Sequence, residues 1–331
     1  MVQLKEIGKT GVKVPAIGFG CMSLSGPYGS ADDEESIKTL ERSIELGSTF
    51  WDTANVYGIK SHNERLLSRV LKTQRDKIFL ATKFGFIRDE SGAISRFDGS
   101  PEHVREAFDK SQKNLGVDVV DLYYMHRVDP KVPIEDSVRA MAELVKEGRV
   151  RFLGLSECSA ETLRRAHKVH PITAVQMEYS PWTLNIENNG ILATARELGI
   201  SIVAYSPLGR GFMTGSIRSL DDFDKDDFRR GLPRFSPENF DKNLKLVDDI
   251  TALATKKGVT PGQYVLAWIL AQGPEFFVIP GTRRVKNLEE NVKAGDVVLT
   301  SEEVAEMREL IDKANIIGER YAPAQLATVN N

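Results

Sequence analysis

The chain has 331 residues, 41% of them hydrophobic, and a formal net charge of −3. That content supports a large core, and the near-neutral charge gives no basis for binding nucleic acid or an acidic membrane surface. Two cysteines, Cys21 and Cys158, are too few for a disulfide framework. No apolar run is long enough to cross a bilayer, and the polar start MVQLKEIGKTGVKV lacks a signal-peptide stretch, so a soluble cytoplasmic protein is expected.

Strand and helix signals alternate along the chain. QLKEIGKTGVKVPAIGFG predicts a small β-hairpin turned at Lys9 to Gly11, then a first strand over residues 16–19. Ile37, Leu40 and Ile44 at helical spacing, stopped by Gly47, predict a helix over 33–46. GSTFWD is the second strand, residues 63–71 a second helix, and KIFLATK the third strand. SPEHVREAFDKSQKNLG is a helix with Ser100 as N-cap, Pro101 at the first position and Gly116 as the stop. VVDLYYMH is the fourth strand and IEDSVRAMAELVKEG its helix. RFLGLSE, ITAVQMEYS and ISIVAYS are further strands, the first two each followed by a helix. A polar stretch over 208–239 breaks the rhythm, and a loop of that length is more often functional than idle. Helices at 241–257 and 261–271, the strand FFVIP and the helices VKNLEENVKA and SEEVAEMRELIDKA follow, with YAPAQLATVNN a loose tail. Roughly eight strand–helix units without a linker predict one α/β domain over 1–331. The expected fold is a (β/α)8 TIM barrel with an N-terminal β-hairpin and extra helices.

Four polar residues stand at or just past strand ends. Asp52 closes GSTFWD, Tyr57 follows in WDTANVYG, Lys83 closes KIFLATK and His126 closes VVDLYYMH. In a parallel barrel those ends open onto one face, where active sites of the fold lie. Taken singly, each has an ordinary reading as a turn cap, a solvated charge or a satisfied core histidine. Together they can hand a proton to a carbonyl oxygen. A free tyrosine has a pKa near ~10, and a nearby cation favours its phenolate. Lys83 supplies that cation, Asp52 holds the lysine charged and oriented, and His126 hydrogen-bonds the substrate oxygen, polarises the carbonyl or helps to relay the proton. Trp51, Phe84 and Trp182 are candidates for the pocket wall, with packing between barrel and helices as the alternative. His62 and His103 read as exposed helix residues. No set of His, Cys and acidic residues has metal-ligand spacing, and no GxGxxG follows a strand.

The segments GFGCM, GSTFWDTANVYG, LATKFG, DLYYMHRVD, GLSE, VQMEYSP, AYSPLGRG and IPGTRRVKNLEEN occur in one order. Through them the chain resembles the aldo-keto reductases along nearly its whole length, most of all fungal and plant members. The resemblance implies an NADPH-dependent oxidoreductase that reduces aldehydes and some ketones to alcohols by direct hydride transfer. Tyr57 is then the general acid, and Asp52, Lys83 and His126 complete a catalytic tetrad. Ser156 and Gln176 match positions that hydrogen-bond the nicotinamide carboxamide. Glu157 stands where many members have Asn and can accept from the carboxamide NH₂. Tyr205 matches the ring on which the nicotinamide stacks. Ser206, Pro207, Leu208, Gly209, Arg210 and Gly211 match the loop over the pyrophosphate. Gly281, Thr282, Arg283, Asn287, Glu290 and Asn291 match the segment around the adenosine 2′-phosphate and adenine. Many members carry Lys at Gly281 and Arg at Asn287, so here the phosphate-binding charge moves to Arg283. The implied partner is a small carbonyl substrate, with no nucleic acid, membrane or metal, and a monomer is favoured. The competing reading is a cofactor-binding redox sensor, an auxiliary subunit with little turnover. The full tetrad and the lack of a long N-terminal extension count against it.

Overall fold

The computed structural model describes residues 2–26, 32–89, 94–225 and 227–330. Eight short strands form one parallel sheet: Phe19–Gly20, Phe50–Asp52, Phe79–Phe84, Val120–Met125, Val150–Ser156, Ile172–Glu178, Ser201–Tyr205 and Phe276–Val278. Each pairs with the next in that order. A parallel bridge between Ile17 and Val278 joins the last strand to the first. There the Gly18 N–H donates to the Val278 carbonyl at 2.8 Å, and the Val278 N–H donates to the Ala16 carbonyl at 2.9 Å. The sheet therefore closes, and the helices between its strands make it a (β/α)8 barrel.

Strand side chains alternate between faces with a period of two, and this positions the site. In the third strand Phe79 and Ala81 belong to the barrel interior, whereas Leu80 and Phe84 pack against the helices. Phe50 is likewise inside and Trp51 outside; Leu122 and Tyr124 are inside and Tyr123 outside. The next inward positions toward the carboxyl end are Asp52, Lys83 and His126. Gln176 follows inward Ala174, and Tyr205 follows inward Val203. Apolar lower layers thus end in a polar top layer. The opposite end is closed by the hairpin of Leu4–Glu6 and Lys13–Pro15, whose Val14 joins the interior with the flanking Ile7. Lys5 Nζ ties that hairpin to the carbonyls of Leu270, Gly273 and Phe276, each at 3.4 Å.

Several sequence expectations change. The first strand falls at Phe19–Gly20, because only the bridge at Ile17 pairs before it. An antiparallel pair, Phe86–Arg88 with Ile94–Phe97, stands beside the mouth and was not foreseen. The described residues of the polar stretch 208–239 form short 3-10 turns as far as Phe235. Phe212, Phe223 and Phe235 bury their rings there beside Phe240 of the following helix, which starts at Pro237. Burial of each ring is worth about 1.5–3 kcal/mol, which anchors a segment whose composition looks solvated. The tail is not loose: Pro323–Leu326 is helical, and the Asn330 N–H donates to the Glu157 carbonyl at 2.7 Å. Trp51 is a packing residue, its indole donating to Ser43 Oγ at 2.8 Å on the helix side. Phe84 also packs outward, stacked on Tyr123. His62 and His103 are only partly exposed, and His62 bonds Ser25 Oγ at 3.0 Å.

Candidate active site

Lys83 is the hub of the upper layer. It is fully buried and its three N–H donors are all spent: on Asp52 Oδ1, on the Thr53 carbonyl at 2.9 Å and on Tyr57 Oη at 3.2 Å. Burial by itself would lower its pKa, but Asp52 and Tyr57 outweigh burial and hold the ammonium above its ordinary value. Asp52 Oδ2 accepts from Gln176 Nε2 at 2.7 Å, so the strand bearing Gln176 helps to fix the ion pair. Tyr57 comes from the turn after the second strand, where its N–H donates to the Ala54 carbonyl at 3.1 Å and its carbonyl accepts from Asn63 N–H at 3.1 Å. Burial pushes the Tyr57 phenol above its usual pKa, and Lys83 works against that push. The phenol is therefore protonated at neutral pH, with a cation beside it for the phenolate.

The His126 ring stands edge-on to Tyr57, centroids 5.8 Å apart, and to Phe86 at 4.6 Å. Burial, reinforced by Lys83 and Arg127, holds this imidazole well below its usual range. It is neutral at pH 7, and its Nδ1 is buried without a hydrogen-bond partner among the described residues. A neutral ring can donate a hydrogen bond to a carbonyl oxygen without competing as the proton source.

The remaining candidates lie at the same end of the barrel. Ser156 Oγ accepts from Arg127 Nη1 at 3.5 Å. Glu157 is held by several protein donors. Its carboxylate is completely buried and accepts from Arg320 at 2.8 and 2.6 Å, from Tyr205 Oη at 2.9 Å and from the Glu178 N–H at 3.0 Å. Three of these bonds fall on Oε1 and one on Oε2. Tyr205 Oη also meets Tyr321 Oη at 2.9 Å. In the loop after Tyr205, Ser206, Gly209, Arg210 and Gly211 all have positive φ, which turns the chain sharply. A Cβ on Gly281 would lie 2.7 Å from the Gly20 carbonyl oxygen, so the close approach of the two loops excludes a side chain there. Thr282 Oγ1 accepts from Arg284 N–H at 3.1 Å, and Arg283 is partly exposed. Glu290 is bonded by Thr260 Oγ1 at 2.8 Å, while Asn287 is exposed and Asn291 buried on the helix Val285–Lys293. Arg320 and Tyr321 escaped sequence reasoning. They reach the mouth only through contacts with residues more than a hundred positions away, and GERYAP has no periodicity to mark them.

The Aldo/keto reductase family model matches residues 16–312. The chain belongs to the aldo-keto reductase family. Aldo-keto reductases are NADP(H)-linked oxidoreductases. The chain is 53% identical over 328 residues to aldo-keto reductase str7 of Strobilurus tenacellus, covering 96% of this chain and 94% of that one. It is 49% identical over 315 residues to aldo-keto reductase yakc [NADP(+)] of Schizosaccharomyces pombe, covering 94% and 92%. Among solved structures, the glycerol dehydrogenase AKR11B4 from Gluconobacter oxydans superposes with a TM-score of 0.86 at 28% identity, over 97% of this aldo-keto reductase and 98% of that chain. No helix among the described residues is long and apolar enough to cross a membrane, and no metal-binding group of His, Cys and acidic residues occurs among them.

Proposed function

We propose that this protein reduces aldehydes and some ketones to alcohols with NADPH, with Tyr57 as the general acid and the whole chain, 1–331, as one catalytic domain. The observation that carries the reading is the buried Lys83 bonded at once to Asp52 and to the Tyr57 phenol. The residues present suit NADPH. Tyr205 offers a partly exposed ring, Ser156 a hydroxyl, and residues 206–211 a tightly turned backbone. Thr282, Arg283 and Arg284 offer donors and positive charge for the 2′-phosphate. Glu157, held by Arg320, orients Tyr205 in this reading and leaves the carboxamide to Ser156 and Gln176. When bound, NADPH supplies the hydride.

Tyr57 Oη holds the proton for the carbonyl oxygen. Lys83 donates to that same Oη and stabilises the phenolate as the proton leaves. Asp52 keeps Lys83 ionised, and Gln176 keeps Asp52 in place. Neutral His126 donates to the substrate oxygen and stabilises the charge growing on it. The test is loss of NADPH absorbance over a panel of aldehydes and ketones, with wild type and Tyr57→Phe. The variant should lose about 10²- to 10⁴-fold in turnover and keep NADPH affinity close to wild type. Retention of more than about a tenth of turnover, with chemistry rate-limiting, excludes Tyr57 as the donor.

A further inference from the structure

A cavity of about 500 Å³ lies between residues 182–189, which follow the sixth barrel strand, and the tail residues 316–330. Its wall carries the guanidiniums of Arg234 and Arg320, the amides of Asn185 and Asn189, and one carboxylate, the exposed Glu319. The charge behind this wall is unbalanced. Arg127, Arg234 and Arg320 are largely buried, and the buried carboxylates among them are Glu157 and Glu178. Glu157 is taken by Arg320. Glu178 accepts from Arg210 at 3.3 Å and lies 3.5 Å from Arg320 and 3.9 Å from Arg234. Arg234 donates through Nε to the Gly318 carbonyl and through Nη1 to Thr183 Oγ1, and its Nη2 has no hydrogen-bond partner among the described residues. Burial, only partly opposed by Glu178, holds this guanidinium below its ordinary pKa. A buried cation short of counter-charge is costly, and a ligand anion removes the cost. The segments matched to the cofactor's phosphates, 206–211 and 281–291, do not line this cavity.

We propose that the cavity is the subsite for a carboxylate or phosphate carried by the carbonyl substrate. The inference rests on the carbonyl reductase reading above and narrows it to acid-bearing aldehydes and ketones. The cavity adjoins the mouth through Arg320, whose Nη1 lies 3.5 Å from Tyr205 Oη. Arg234 Nη2 and the Asn185 amide are the donors that meet the anion, and charge-assisted bonds of this kind discriminate strongly against an uncharged analogue.

The experiment compares the semialdehydes of glutaric and adipic acid with the methyl ester of each, in wild type, Arg234→Gln and Asn185→Asp. In wild type kcat/KM should favour acid over ester by about tenfold or more. Both variants should bring that ratio toward one, through KM. Asn185 is exposed and makes no side-chain hydrogen bond among the described residues, so its variant carries the test if Arg234→Gln does not fold. A wild-type ratio near one overturns the proposal. Glutarate should inhibit competitively against the aldehyde; inhibition that does not compete makes the anion a separate ligand and overturns its assignment to the substrate. If no aldehyde is reduced, the reductase reading fails by itself. Glutarate and inorganic phosphate added to the NADP+ complex then decide the subsite. A rise in Tm in wild type that is absent in both variants supports an anion site; no rise overturns it.

Discussion

Replacing Lys83 by Met removes the ammonium that donates to Tyr57 Oη at 3.2 Å. Two unit charges at that distance interact by about 5 kcal/mol at an effective dielectric constant of about 20. The phenolate carries only part of a charge in the transition state, so about half to all of that energy falls on the chemical step. Turnover should drop by about 10²- to 10⁴-fold. The same change strands Asp52, which is 2% exposed, with Gln176 Nε2 as its remaining side-chain donor. An unpaired buried carboxylate costs about 3–5 kcal/mol, so the single variant mixes lost chemistry with lost stability. The double variant Lys83→Met with Asp52→Asn separates them. It removes the stranded charge and should recover most of the stability in urea unfolding, with none of the turnover. The assay is single-turnover aldehyde reduction at saturating NADPH, across pH, alongside the unfolding curves. A double variant within tenfold of wild-type turnover, or a single variant with an unchanged pH–rate profile, refutes the role given to Lys83.

Arg283→Ala should weaken NADPH binding by about 10- to 100-fold while NADH binding barely moves, since a guanidinium–phosphate bond is worth about 1.5–3 kcal/mol; equal weakening of both would assign Arg283 to the fold or the adenine. His126 gives a pH signature in stability. Its folded pKa lies well below the ordinary value of about 6.5, so below that pH the unfolded chain takes up a proton that the native chain refuses. Stability is therefore full above about pH 6.5 and falls as pH drops below it, and His126→Asn should flatten that fall by up to about 1.4 kcal/mol per pH unit. Identical slopes for wild type and variant in denaturant titrations between about pH 6.5 and 5 would contradict the buried neutral imidazole.

The barrel was legible because each strand is a short apolar run whose inward residues turn polar at one end. Asp52, Lys83 and His126 follow that rule, and the alternation alone carries them into the upper layer. The same rule leaves the face of a fully buried strand undetermined. Trp51 is apolar and central like Phe50, and only the register shows that one faces the helices and the other the interior. The segment 208–239 misled through its charges, since its fold rests on Phe212, Phe223 and Phe235 among many polar residues. The tail was unreadable for another reason. Arg320 meets Glu157, and Tyr321 meets Tyr205, across distances in sequence that leave no local pattern. Glu157 shows the same limit, because an acceptor read in isolation reveals nothing of the arginine bound to it.

The closing seam of the barrel has a consequence for how the protein is made. Ala16 and Gly18 pair with Val278, a partner that emerges from the ribosome only after the other seven barrel strands. Until then the growing sheet has two open edges, the first strand on one side and the newest strand on the other, and open edges invite pairing with other chains. Domains are built from the N-terminus at roughly 5–20 residues per second, so the first edge waits for many seconds. A chain stopped before Phe276 should remain a curled, unclosed sheet with its interior aromatic residues Phe50, Phe79 and Tyr124 within reach of chaperones, and release of the last strand is the event that shuts it.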